Sequence, residues 1–255
     1  MTILTRDGVN IFYDARGDGP PVLLSHGYSA TADMWRGQVA ALSPHYRVIT
    51  WDMRGHGQTD SPADPAAYTE SATVADMVAV LDACDAPEAV IGGLSLGGYM
   101  SLAFHAAHPS RTRALMLFDT GPGYRKDAAR DGWNAMADRR AASFERRGLD
   151  ALGSSAEVRV STHRSAAGLA LAARGMLAQH DAHVIDSLPN VGVPTLVLVG
   201  GDDEQFLTPA DYMAAKIPVA QKVVLEGAGH AANLDQPAAF NEAVSSFLAG
   251  LPHLG

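Results

Sequence analysis

Cysteine is almost absent: Cys84 is the single one in 255 residues. A lone thiol closes no internal disulfide and builds no cysteine metal site, so the chain reads as a protein of a reducing cytoplasm. Long apolar runs are missing too. No stretch approaches the ~20 residues needed to cross a bilayer. The start, Met1-Thr2-Ile3-Leu4-Thr5-Arg6-Asp7, lacks the charged head and apolar stretch of a secretory signal. Positive charge is scarce, with 19 Lys and Arg against 28 Asp and Glu and a formal net charge of −9. That balance argues against nucleic acid or an anionic membrane as a partner. Internal repeats and low-complexity tracts are also lacking. What remains is 47% hydrophobic and 18% charged, an ordinary globular composition. The length suits one large domain, or a core domain carrying an insertion.

Short apolar runs punctuate the chain: Val22-Leu23-Leu24-Ser25, Arg47 to Trp51, Ala89 to Gly92, Ala114 to Phe118, Thr195 to Val199 and Lys222 to Leu225. Runs this short, rich in Val, Ile and Leu and apolar on both faces, suit buried strands of a parallel sheet. Helical spacing fills the intervals. Val74, Met77, Val78 and Leu81 fall on one stripe, with Ser71 as a candidate N-cap. Strand alternating with helix predicts an α/β fold, a mostly parallel twisted sheet with helices on both faces. Asp7-Gly8 between two apolar runs predicts an antiparallel hairpin at its edge. Residues 121–189 break the rhythm. They hold no strand-like run, and carry ten Lys and Arg against eight Asp and Glu. A connection this long predicts a helical cap (121–189) inserted into a core domain (1–120 and 190–255), over the carboxyl ends of the strands.

The chemistry gathers at those strand ends. Gly93-Leu94-Ser95-Leu96-Gly97 follows a strand directly and opens a helix, the context that gives G-x-S-x-G its meaning. Gly93 and Gly97 let strand and helix approach, so that Ser95 is exposed at a helix N-terminus as a candidate nucleophile. A neutral serine needs a base and the base needs a carboxylate. His230 in Glu226-Gly227-Ala228-Gly229-His230 is the candidate base, and Asp203 or its neighbour Asp202 the candidate acid. The order Ser, Asp, His suits this fold. An oxyanion needs two donors. The Leu96 amide supplies one, and the Tyr28 amide in Ser25-His26-Gly27-Tyr28 the other, with His26 and Gly27 shaping the turn.

Through these stretches the chain resembles the α/β-hydrolase fold enzymes of the esterase, lactonase and carbon–carbon hydrolase group, over its whole length apart from the insertion. Asp52-Met53-Arg54-Gly55-His56-Gly57 is similar to that family's structural D-x-R-G-x-G turn, and Gly229 to Pro237 to its histidine loop. The resemblance implies a triad of Ser95, Asp203 and His230, with the acid three residues after Gly200. It also makes Asp119 a rival, because some members take their acid from the preceding strand. Haloalkane dehalogenases and epoxide hydrolases on this fold use an aspartate nucleophile, whereas Ser95 stands here. A single His26-Gly27 step in place of a glycine triplet implies modest esters. One departure is that Pro209 follows Asp203 later than usual, which predicts an extended loop.

The expectation is therefore a serine carboxylesterase acting on short- to medium-chain esters, with a small-molecule ester as its partner and no metal or cofactor required. Alternatives on the same residues are an enol-lactone or carbon–carbon hydrolase, a perhydrolase, and a slow-turnover ligand sensor. The sequence leaves a homodimer open. Arg139-Arg140 and Arg146-Arg147 read as a carboxylate-binding patch or as a solvated helix face. His163, His180 and His183 lack the spacing of metal ligands, and Cys84 reads as a packing residue. Among the apolar residues of the insertion (Trp133, Met136, Phe144, Leu149, Leu152, Leu169, Leu171, Met176 and Leu177), two or three are expected to face substrate.

Overall fold

The computed structural model describes residues 2–252. Eight strands form one sheet: β1 (Thr2–Arg6), β2 (Val9–Arg16), β3 (Pro21–Ser25), β4 (Arg47–Trp51), β5 (Ala89–Leu94), β6 (Thr112–Phe118), β7 (Thr195–Gly200) and β8 (Ala220–Leu225). Their spatial order is β1-β2-β4-β3-β5-β6-β7-β8, antiparallel at the β1–β2–β4 edge and parallel from β4 through β8. The predicted hairpin is present. Asp7 and Gly8 both take positive φ, 51° and 74°, which a two-residue turn of this hand requires. The helices are α1 (Arg36–Leu42), α2 (Glu70–Ala83), α3 (Leu96–Ala107), α4 (Asp127–Arg147), α5 (Ala156–Arg159), α6 (Ala166–Ala172), α7 (His183–Ser187), α8 (Glu204–Lys216), α9 (Ala232–Asp235) and α10 (Pro237–Ala249).

The parallel strands are apolar on both faces because both faces are covered. Leu23, Ile49, Ile91, Leu117 and Val197 join one core cluster; their neighbours Val22, Val48, Val90, Met116 and Leu196 join the other. This is the period-2 alternation of a strand buried on two sides. Met77, Leu81, Met100, Phe104 and Met213, from α2, α3 and α8, pack on the first face; Leu42, Phe240, Val244 and Phe247, from α1 and α10, pack on the second. The N-cap of α2 is Thr69, whose hydroxyl accepts from the Ala72 amide, rather than Ser71, which lies inside the first turn. Buried Cys84 closes that helix.

Between β6 and β7 the chain runs through α4, α5, α6, a π-helical turn (Ala173–Leu177) and α7. On α4, Ala137, Ala141 and Phe144 recur at helical spacing and are buried, and Gly148 with φ 60° ends the helix. These side chains, with Leu169 and Met176, belong to the same continuous cluster as the α2 and α3 face of the sheet. Residues 121–189 therefore pack onto the sheet through a shared core.

Candidate active site

The serine turn is a single residue wide. β5 ends at Leu94, α3 begins at Leu96, and Ser95 between them takes φ 56° and ψ −116°. A side chain held in such a region costs of order 1–3 kcal/mol and persists only where its surroundings fix it. Here the Ser95 amide donates to the Phe118 carbonyl (2.9 Å), and the Ser95 carbonyl accepts from Thr120 Oγ1 (2.6 Å). No side chain fits beside the turn. A Cβ on Gly93 would lie 2.4 Å from the Gly97 carbonyl carbon, and one on Gly97 would lie 2.2 Å from the Ser25 oxygen.

Asp203 is the last residue before α8 and His230 lies just before α9, so the β7 and β8 loops bring them together. His230 Nδ1 donates to Asp203 Oδ2 at 2.7 Å, and the Phe206 ring stacks on the imidazole at 5.0 Å. Burial pulls the His230 pKa down. The hydrogen bond and charge of Asp203 outweigh that, with a smaller push from Glu157, so the net shift is upward from 6.5. Asp202 is exposed. Asp119, the residue after β6, is fully buried at φ 44°; its Oδ1 accepts from the Gly200 amide (2.7 Å) and its Oδ2 has no partner among the described residues. Burial pushes its carboxyl up to about 8. The hydrogen bond to the imidazole thus belongs to Asp203, with Asp119 beneath it as a buried carboxyl. The expected extended loop after Asp203 is absent. α8 starts at once, and Pro209 sits inside it, leaving the Gln205 carbonyl without its helical donor.

On the other side of Ser95, the Tyr28 amide has no acceptor among the described residues, and Leu96 opens α3, where an amide has no intrahelical acceptor. Tyr28 is anchored through its side chain. Its hydroxyl donates to the Leu169 carbonyl of α6 (2.8 Å) and its ring meets His56 edge-on at 5.6 Å. Beneath it lie three buried histidines. His26 donates from Nδ1 to the Gly27 carbonyl (2.7 Å) and accepts at Nε2 from the Met53 amide (2.9 Å). His56 accepts from the Ser29 amide, and His163 of the insertion bridges the Ser29 carbonyl (3.0 Å) and the Gly57 amide (3.3 Å). Burial lowers all three pKa values, that of His26 to about 4. The Asp52 turn supports the same floor: Asp52 Oδ1 accepts from the Ala32 amide and Oδ2 from the Gln58 amide, while Arg54 forks onto buried Asp76. His163 is thus a structural strap, while His183 pairs at the surface with Asp181 and Glu70. Among the described residues no group of three His, Cys, Asp or Glu is arranged to hold a metal.

Two cavities meet at Ser95. A narrow one of about 230 Å³ is lined by Leu96, Tyr99, Trp133, Leu177, Phe206 and Tyr212 among others. A wide one of about 920 Å³ contains Tyr28, Asp203 and His230 together with Trp133, Met136, Phe144, Arg139, Arg140 and Glu157. Ser95 Oγ makes no hydrogen bond to His230 in this conformation, although both line the wide cavity. Four of the apolar insertion residues therefore reach the cavities (Trp133, Met136, Phe144 and Leu177), while Leu169 and Met176 are core. Of the arginine pairs, Arg139-Arg140 reaches the wide cavity, while Arg147 donates to the Asp150 carbonyl on the surface. Sequence spacing missed Phe206, Tyr212 and Glu157. Phe206, three residues past Asp203 on a helix that starts there, is the one such spacing could have reached.

Residues 22–243 match the model of the Alpha/beta hydrolase family, and the chain belongs to that family. It is 30% identical over 270 residues to a 3-oxoadipate enol-lactonase of Acinetobacter baylyi, an alignment covering 96% of this chain and 95% of that one. Among solved structures, a hydrolase from Pseudomonas aeruginosa superposes with a TM-score of 0.80 at 30% identity, covering 98% of each chain. A thermophilic esterase from Thermogutta terrifontis, solved with malate bound, gives 0.81 at 29% identity over 98% of this chain and 97% of that one. The protein is a hydrolase with an eight-stranded, mostly parallel sheet.

Proposed function

We propose that this member of the alpha/beta hydrolase family is a serine carboxylesterase, cleaving short- to medium-chain carboxylic esters through an acyl-enzyme on Ser95. The observation that carries the reading is the meeting, at one cavity, of a strained serine turn, the His230–Asp203 pair and two unengaged amides. His230 takes the Ser95 proton as Oγ attacks the ester carbonyl; hydrogen bonds of this kind often tighten only with substrate in place. Asp203 holds Nδ1–H and stabilises the imidazolium, and the amides of Tyr28 and Leu96 receive the oxyanion. His230 then protonates the leaving alcohol, and water releases the acyl group by the same route. The leaving group must lie within reach of His230, which lines only the wide cavity, so the acyl chain occupies the narrow apolar one. The test is hydrolysis of p-nitrophenyl esters of increasing acyl length. Cleavage peaking at short or medium chains and lost in Ser95→Ala supports the reading; cleavage retained in Ser95→Ala overturns it.

A second reading, an enol-lactone or carbon–carbon hydrolase using the same triad, is favoured by Arg139 and Arg140. Both exposed residues line the wide cavity with no carboxylate partner among the described residues, and the Arg140 guanidinium lies over the Tyr28 ring at 5.9 Å, a setting that suits an anionic substrate. Faster Ser95-dependent opening of a carboxylated lactone than of any simple ester would select it.

A further inference from the structure

Glu157 is a buried carboxylate outside the proposed triad. It lies on α5, the four-residue helix of the insertion that packs against α9, just beyond His230. It is 7% exposed and lines the wide cavity with Ser95 and His230. Oε1 accepts from Ser155 Oγ at 2.5 Å, while Oε2 is shut off from solvent with no partner among the described residues. A buried carboxylate oxygen without a donor is unfavourable, and turning the carboxylate about its last bond is what brings Oε2 to a donor in the cavity that Glu157 lines. The same cavity holds His230, the group that protonates the alcohol.

We propose that Glu157 forms a leaving-group subsite that accepts a hydrogen bond from a hydroxyl carried by the alcohol half of the substrate, which makes the preferred substrates esters of hydroxylated alcohols. This rests on the serine-esterase reading, because that reading puts the alcohol in the cavity holding His230. The rest of the wall agrees. Ser143, Ser154 and Ser155 line this cavity, in contrast to the apolar lining of the narrow one. The donor is a hydroxyl rather than an ammonium, because Arg139 and Arg140, which line the same cavity, disfavour a cation.

The experiment compares 2-hydroxyethyl butanoate with 2-methoxyethyl butanoate, which has the same acyl group and no hydroxyl, and with butanoylcholine, which is cationic and also lacks one. The expected result is a wild-type kcat/KM at least about tenfold higher for the hydroxyethyl ester than for either other ester, the scale of a charge-assisted hydrogen bond. In Glu157→Leu the hydroxyethyl-to-methoxyethyl ratio falls towards one, and in the isosteric Glu157→Gln it falls at least about threefold, since a neutral acceptor makes a weaker bond. A wild-type ratio near one, or a ratio unchanged in both variants, overturns the subsite while leaving the esterase reading intact. Butanoylcholine turned over as fast as the hydroxyethyl ester overturns the choice of a hydroxyl. Wild-type protein that cleaves none of the three, nor any p-nitrophenyl ester, overturns the esterase reading and the subsite with it.

Discussion

At the scale of single residues the account turns on what surrounds His230. Its pKa is held above 6.5 because Asp203 outweighs burial. The free base is the working form, so kcat/KM for an ester falls as pH drops through that raised value. In Asp203→Asn the main raising influence is gone, and two results follow together. The acid limb moves to lower pH, and kcat falls by about 10³-fold or more, because the imidazole loses the partner that sets its tautomer. A pH profile of both proteins on one ester checks this. Asp119 gives a sharper discrimination. Its carboxyl is pushed up to about 8, so at neutral pH it is largely protonated, and Asn is a close mimic of that form. Asp119→Asn should therefore retain kcat within about tenfold at neutral pH, far from the loss expected of the residue that bonds the base. A loss as large as that of Asp203→Asn would make Asp119 the working acid. The sequence offered both aspartates, each at the end of a strand. What separates them is the direction of two side chains, 2.7 Å from Nδ1 in one case and turned to the Gly200 amide in the other. Strand spacing does not carry that information.

At the scale of elements, the strands and the serine turn were readable because each rests on a local rule. Val22 to Leu24 and Leu196 to Val199 are apolar at every position, which suits a strand covered on both faces. Gly93 and Gly97 flank Ser95 because a Cβ there would enter the Gly97 carbonyl or the Ser25 oxygen. Gly97→Ala should consequently cost more than about 3 kcal/mol of stability or abolish soluble folding, as strain at a close backbone approach does. Urea melts of the variant check it, and near-wild-type stability would refute the packing described. The helix caps and α8 were read less well. Thr69 and Ser71 are both good caps, and the choice between them depends on where the preceding turn (Pro65–Tyr68) delivers the chain. Pro209 suggested a loop, yet α8 tolerates it in its second turn at the loss of one backbone hydrogen bond. Glu157 was beyond reach. A four-residue helix has too little periodicity to reveal which face it turns towards the cavity.

Over the whole molecule, residues 121–189 are tied to the sheet by a shared core and by polar straps, Tyr28 to Leu169 and His163 to Ser29 and Gly57. The sequence showed that residues 121–189 were helical and out of rhythm, but these straps pair residues more than a hundred positions apart, and no local pattern announces them. The buried histidines also set the response to acid. Each is neutral in the fold, with a pKa lowered from 6.5, so below about pH 6.5 the unfolded chain binds protons that the native state refuses. Their contribution is complete above that pH and drains away as pH falls towards the folded values, by at most about 1.4 kcal/mol per unit for each histidine. His163→Gln removes one such group while keeping a polar strap. Between about pH 7 and about pH 5.5 the variant should lose less stability than the wild type, because the buried carboxyls act equally on both. An equal or greater loss would mean that His163 is protonated in the fold. Intact-mass measurement after treatment with a fluorophosphonate reads out whether Ser95 is the nucleophile. The expected result is a single adduct, mapped to the peptide carrying Ser95 and absent in Ser95→Ala. A folded wild type that takes up no label, or an adduct that persists in Ser95→Ala, would contradict it.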